Sequence, residues 1–336
     1  MINREVIIMR KNSSLIAALM LVLMIAVIAA GSGNFGQAAE PININIMALS
    51  GTTGLSMVKM FEDNPVLSTG VNVTYSIVSN PQQMTAKIIS GEADIAAVPT
   101  NTAALLYNKG IAIKIGAITN WGVTYLAGRD LSVKKWTDLK GKTIAVTGKG
   151  ATPDILFRRF LKANGLDPER DVKLEYYPTP AELAQLVIAE KTDLAVIPEP
   201  WVTEVMLRSP SARVLLDFQE EWKRLENRKE SYPQSCLVVS TKLYQEHPEA
   251  VKTFLQQAGL ASDWVNDNRA QAGILAEKFV KISANAATDA IPRCNFRFAI
   301  ASSVKNEVDY FLNSLFEFDP EFLGGKLPDA AFYLPQ

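Results

Sequence analysis

Apolar positions recur along this chain with two periods, and the alternation between them sets the expected elements. Residues 41–49 (PININIMAL) alternate polar and apolar and then turn wholly apolar, as a strand entering a buried sheet does. Ser50-Gly51-Thr52-Thr53-Gly54 breaks that strand, and helical spacing follows over 55–61. Further strands are expected at 71–78, 94–98, 111–119 and 123–126, with helices at 81–90 and 102–108. After a turn at 139–142 the pattern restarts: strand 143–147, glycine turn 148–153, helix 154–164 ended by Gly165, strand 172–177, helix 180–190, strand 193–197, helix 202–207. Beyond 220 it changes. The charged run 221–229 reads as an exposed segment and 235–240 as one more strand. Residues 249–268, 271–282 and 301–316 read as helices, with an irregular tail from Asp319.

The restart is an internal repeat. Gly51 and Gly150, Thr53 and Thr152, Pro81 and Pro180, Asp94 and Asp193, and Pro99 and Pro198 all stand 99 positions apart. Strands alternating with helices predict an α/β fold whose sheets are mostly parallel and covered by helices on both faces. Two similar halves predict two lobes; one large doubly wound sheet carrying a duplication is the alternative. Ligands of open α/β sheets bind at the carboxyl ends of the strands, which here carry the glycine turns and the Pro-terminated strands.

Composition narrows the chemistry. The charge is balanced, 34 basic against 35 acidic residues, so no basic field calls for nucleic acid. One histidine and two cysteines give little material for a metal cluster or a His-based catalytic network, and no cofactor is expected. His247 precedes Pro248 in a polar stretch and reads as surface. At the N-terminus Arg4, Arg10 and Lys11 precede an apolar run at 15–30, followed by small and polar residues. That order describes a secretory signal peptide over 1–38, with Gly36 and Ala38 before the cut. A retained anchor is the alternative, although a spanning helix needs roughly 20 apolar residues. No cysteine follows the apolar run, so a lipid-modified terminus is not expected.

GEADIAAVPTN (91–101), DLKGKTIAVTGKGATPDILFRRFLKANGLDPERDVKLEYYP (138–178) and KTDLAVIPEPWVTEVM (191–206) resemble the solute-binding proteins of ABC importers. More narrowly, they resemble the branch that includes nitrate, sulfonate, taurine and thiamine-precursor binding proteins. The resemblance implies a two-lobed type II periplasmic-binding-protein fold. One lobe would comprise 41–126 with 237–336 and the other 127–236, with hinge crossings near 125–129 and 235–239. It also implies an extracytoplasmic, non-catalytic monomer that captures a small organic solute and delivers it to an ABC permease and its ATPase. A sensory or accessory ligand-binding protein is an alternative. So is an enzyme on the same fold, of the pyrimidine-precursor or menaquinone-pathway type. The related pyrimidine synthases use histidine and cysteine clusters that this chain lacks, and an export signal argues against a cytoplasmic pathway step.

On this reading Gly51, Thr52, Thr53, Gly150, Ala151 and Thr152 offer helix N-terminal N–H groups and hydroxyls to an oxygen-rich part of the ligand. The plainer reading is turn chemistry alone. Pro99, Thr100, Asn101, Glu199 and Trp201 occupy equivalent places after the Pro-terminated strands. Asn101 would donate and accept, while Trp201 and Trp121 would wall the pocket, unless both are packing residues. Glu199 in the cleft would disfavour an anion and favour an amine, unless it is a solvated loop carboxylate. The turns hold no arginine, only Lys149. Cys236 and Cys294 are expected to pair, the even count and the compartment favouring a disulfide over two buried thiols.

Overall fold

The computed structural model describes residues 41–335, so the expected signal at 1–38 lies outside the described residues. The first half runs β1 (Ile42–Leu49), α1 (Thr52–Leu55), α2 (Val58–Asp63), β2 (Val71–Val78), α3 (Pro81–Ile89), β3 (Ile95–Pro99), α4 (Thr100–Asn108) and β4 (Ile113–Trp121). After β5 (Thr124–Gly128) the second half repeats that order. It runs β6 (Thr143–Thr147), α5 (Thr152–Ala163), β7 (Lys173–Tyr177), α6 (Pro180–Ile188), β8 (Leu194–Pro198), α7 (Trp201–Arg208) and β9 (Arg213–Asp217). The chain ends with α8 (Phe218–Glu226), β10 (Pro233–Ser240), α9 (Thr241–Glu246), α10 (Pro248–Asp267), α11 (Arg269–Val280), α12 (Ala284–Ala290), β11 (Phe296–Ile300) and α13 (Lys305–Phe318).

Two sheets result, one in the order β11-β4-β10-β3-β1-β2 and one in the order β7-β6-β8-β5-β9. Reading inward from β2 and β7, the two orders correspond strand for strand as far as β4 and β9. β1 pairs with β3 and β6 with β7 and β8 in parallel, as the repeat predicts. The fourth strand differs. β10 runs antiparallel between β3 and β4, and β5 antiparallel between β8 and β9, so both sheets are mixed rather than mostly parallel. Each of these strands enters its sheet just after the chain has crossed from the other one. The chain passes between the sheets at 122–123 and 218–232; the expected position 125–129 overlaps the end of β5, and 235–239 falls inside β10.

Local chemistry explains the equivalent helices. α3 and α6 both begin with proline, whose missing N–H costs nothing at a first helical position. Asn80 and Thr179 cap them, the side-chain oxygens accepting first-turn N–H bonds. The run at 221–229 is not the exposed segment its charge suggests. Asp217 caps α8, which turns Phe218 and Trp222 into the core and leaves Glu220 and Arg224 outside, while Glu221 is buried and paired to Arg224. Phe218 packs against Trp136, Phe157 and Phe160, and Trp222 against Tyr232 and Phe311.

The expected disulfide is absent. Cys236 and Cys294 are free, buried thiols. Cys236 sits mid-strand in β10 between β3 and β4, and Cys294 follows a 3-10 turn at Ile291–Arg293; the two belong to different core clusters. Burial pushes the Cys236 thiol up to about 12 and the Cys294 thiol well above its ordinary value.

Candidate functional site

The carboxyl ends of β1, β3, β6 and β8 converge on a cavity of about 110 Å3. By a comparable measure a water molecule needs roughly 10–15 Å3, so the space suits a compact solute. Its wall takes residues from both sheets: Ser50 to Thr53 after β1, Pro99, Thr147, Gly148 and Ala151 after β6, and Pro198, Glu199 and Trp201 after β8. Val123 on the first crossing and Gln234 and Ser235 on β10 complete it, with the prolines that open α3 and α6.

The helices at the four strand ends share a feature. α1, α4, α5 and α7 have no capping residue whose side chain bonds the first turn, in contrast to α3 and α6. Uncapped helix starts present N–H donors and the positive end of the helix dipole. At α7 that end is already answered, because Glu199 Oε2 accepts from the Thr203 backbone N–H and hydroxyl at 3.1 and 2.8 Å. Two buried polar atoms of the wall have no partner, Trp201 Nε1 and Gln234 Oε1. The indole nitrogen faces Gly51, where an added Cβ would lie 3.8 Å from it and where φ is +122°. A wall with one free donor, one free acceptor and unclaimed helix N–H groups is built to be completed by a polar guest.

Of the residues singled out in the sequence, Gly51, Thr52, Thr53, Pro99, Ala151, Glu199 and Trp201 line this cavity. Several hold the wall rather than face the space. The Thr53 hydroxyl donates to Leu49 O at 2.6 Å. Asn101 spends its amide across the cleft: Nδ2 donates to Gly150 O at 3.3 Å, and Oδ1 accepts from the Thr152 hydroxyl at 2.8 Å. Asn101, Gly150 and Thr152 thereby tie the start of α4 to the start of α5. Thr100 is buried with its hydroxyl toward the Cys236 thiol.

Trp121 lies elsewhere. Its Nε1 donates to Arg297 O at 3.0 Å and the Arg297 guanidinium stacks on the ring at 3.8 Å, in a separate groove of about 370 Å3 beside the crossings. Glu199 is neither a solvated carboxylate nor an unanswered charge. It is 1% exposed, and Arg293 Nε donates to its Oε1 at 2.5 Å. Burial pushes its pKa up, while Arg293 and Thr203 pull it back.

Two side chains that hold the wall of the cavity escaped the sequence reading. Arg293 comes from 94 positions away, beyond the repeat, with no local signal. Asp154 is fully buried at the third residue of α5; its Oδ2 accepts from Gly150 N–H at 2.8 Å and its Oδ1 from the Tyr176 hydroxyl at 2.9 Å. It fixes the second glycine turn, and burial raises its pKa against those bonds. The sequence did carry a signal for it, an acid in a helix's first turn four residues after a turn glycine. Among the described residues no cluster of metal-ligating side chains occurs and no helix is long and apolar enough to cross a membrane.

The NMT1-like family model matches residues 26–279. The chain is 28% identical over 150 residues to the nitrate/nitrite binding protein NrtA of Nostoc sp. strain PCC 7120, covering 44% of this chain and 27% of that relative. The match therefore spans about a quarter of the relative's length. Among solved structures, an ABC transporter from Parabacteroides distasonis aligns with a TM-score of 0.73 at 27% identity, over 87% of this chain and 99% of that one. The alkanesulfonate-binding protein SsuA from Xanthomonas axonopodis, bound to MOPS, aligns with a TM-score of 0.68 at 16% identity, over 88% and 97%, and shares the fold alone. The fold is the two-lobed type II periplasmic-binding-protein fold, with two mixed sheets flanked by helices.

Proposed function

This chain belongs to the NMT1-like family, among the solute-binding proteins of ABC importers, and on that premise we propose that it captures a compact organic solute between its lobes and hands it to an ABC permease and ATPase. The observation that carries the reading is the cavity wall: uncapped helix starts from both sheets, with Trp201 Nε1 and Gln234 Oε1 left without partners. The N–H groups at the starts of α1 and α5 suit acceptor oxygens at one end of the solute. Trp201, Leu49, Val123 and the surrounding prolines suit an apolar body. With Glu199 paired to Arg293, the wall no longer calls for an amine.

The lobes we propose are 41–126 with 237–336, and 127–236, one built on each sheet, with bounds that fall inside β5 and β10 a few residues past the crossings at 122–123 and 218–232. Export through a signal over 1–38, action as a periplasmic monomer, and binding without catalysis complete the reading. The wall offers hydroxyls and N–H groups, groups that hold a solute in place.

Native mass spectrometry of the exported protein, purified without denaturation, tests this. A bound mass of a few hundred daltons at most, released on unfolding, is the expected result. An apo mass, together with no thermal shift from any of a panel of small carboxylates, sulfonates and amides, would count against the cavity as a solute site.

A further inference from the structure

Glu199 lines the cavity, but its carboxylate is buried behind the wall, and its charge is answered by a residue that does not line the cavity. We infer that Arg293 is a specificity-determining residue: by neutralising Glu199, it allows the cavity to accept a solute carrying negative charge. The inference rests on the reading of the cavity as a solute site.

Glu199 follows β8 in the second sheet, whereas Arg293 ends the 3-10 turn that leads into β11 of the first. The guanidinium engages the carboxylate twice. Its Nε donates to Oε1, and its Nη2 donates at 2.6 Å to the Thr203 hydroxyl that itself donates to Oε2. The Glu199 carboxylate is inaccessible to water, while the Arg293 side chain is 38% exposed and lines the neighbouring groove. The remaining titratable groups facing Glu199 are Tyr125 on β5 and the Cys294 thiol beside Arg293, and burial raises both, so neither carries charge at neutral pH.

A charge at a dry wall acts over several ångströms with little screening. An unpaired Glu199 would repel an anionic group or take up a proton. Paired, it no longer opposes the N–H groups at the uncapped helix starts beside the cavity, and such groups favour acceptor oxygens. The turns contain no arginine, so the cation that fits the cavity to an anion acts from behind the wall.

The test uses Arg293→Gln and the double variant Glu199→Gln/Arg293→Gln in the full chain. The probes are methanesulfonate and methanesulfonamide, a pair of nearly equal shape that differ by one charge. In Arg293→Gln the affinity for methanesulfonate should fall by about tenfold or more relative to methanesulfonamide. In the double variant the wild-type ratio should return. An unchanged ratio in the single variant, or a loss that the double variant does not recover, would overturn the inference.

A second measurement needs no solute. Without Arg293 the folded protein holds the Glu199 proton more tightly than the unfolded chain does. The single variant's Tm should therefore drop further below the double variant's as pH rises from about 4.5 to about 8. A gap that does not change with pH overturns the pairing argument. Wild-type protein that takes neither probe would overturn the reading of the cavity, and the pH series would still decide whether Arg293 neutralises Glu199.

Discussion

The indole N–H of Trp201 and the hydroxyl of Thr152 separate recognition from scaffolding at the cavity. Trp201 Nε1 has no partner in the protein, so Trp201→Phe keeps the flat wall and removes only a donor. Solute affinity should drop by about 1–2 kcal/mol with Tm almost unchanged, measured by calorimetry with the co-purifying solute; equal affinity would exclude the indole N–H as a contact. Asp154 gives a pH signature. Burial raises its pKa in the fold, so its contribution to stability is full below the ordinary carboxylate pKa and is lost as pH rises through the folded value. Asp154→Asn should remove that decline, a slope of at most about 1.4 kcal/mol per pH unit, read from unfolding midpoints between about pH 4 and 7. An unchanged slope would mean that Asp154 does not titrate in this window. The wall residues of the glycine turns were legible because the repeat marks both turns at once. Arg293 was not, because ion pairing across 94 positions leaves no periodic trace.

At the scale of elements, the segments that hold the repeat were legible and those that follow it were read less well. Positions 81 and 180 open equivalent helices, and β3 and β8 end in equivalent prolines, because hydrophobic period and turn chemistry agree there. α8 was misread: Phe218, Trp222 and Leu225 recur at helical spacing, but five charges from Glu220 to Glu226 mask them. β9 and β11 lie past the last matched position of the repeat, and each has one buried residue and an arginine, so no matching segment or buried apolar run marks them. The cysteine pairing failed for an element-level reason. A side chain in the middle of β10, hemmed in by β3 and β4, can bond only to what those strands bring against it. Both thiols should therefore resist Ellman's reagent in the native protein and react together, two per chain, once it is unfolded in denaturant. Two thiols that stay unreactive after unfolding without reductant would restore the disulfide.

The two-lobed arrangement follows from the 99-residue offset, but the antiparallel strand in each sheet does not, because it lies outside the repeated unit. That strand has a consequence for how the molecule comes into being. β5 to β9 occupy the continuous stretch from Thr124 to Asp217, so the second sheet draws all its strands from one segment of the chain. The first sheet is cut in two until β10 slots between β3 and β4, and β10 lies more than a hundred residues after β4 begins. Refolding should therefore proceed from the middle outward. In pulse-labelled hydrogen exchange on the full chain, amides of β5 to β8 should gain protection before those of β3 and β4; simultaneous or reversed protection would refute that order. As the polypeptide emerges from its amino end, the stretch that comes first must wait for the stretch that comes last, holding an unfinished sheet edge in the interval.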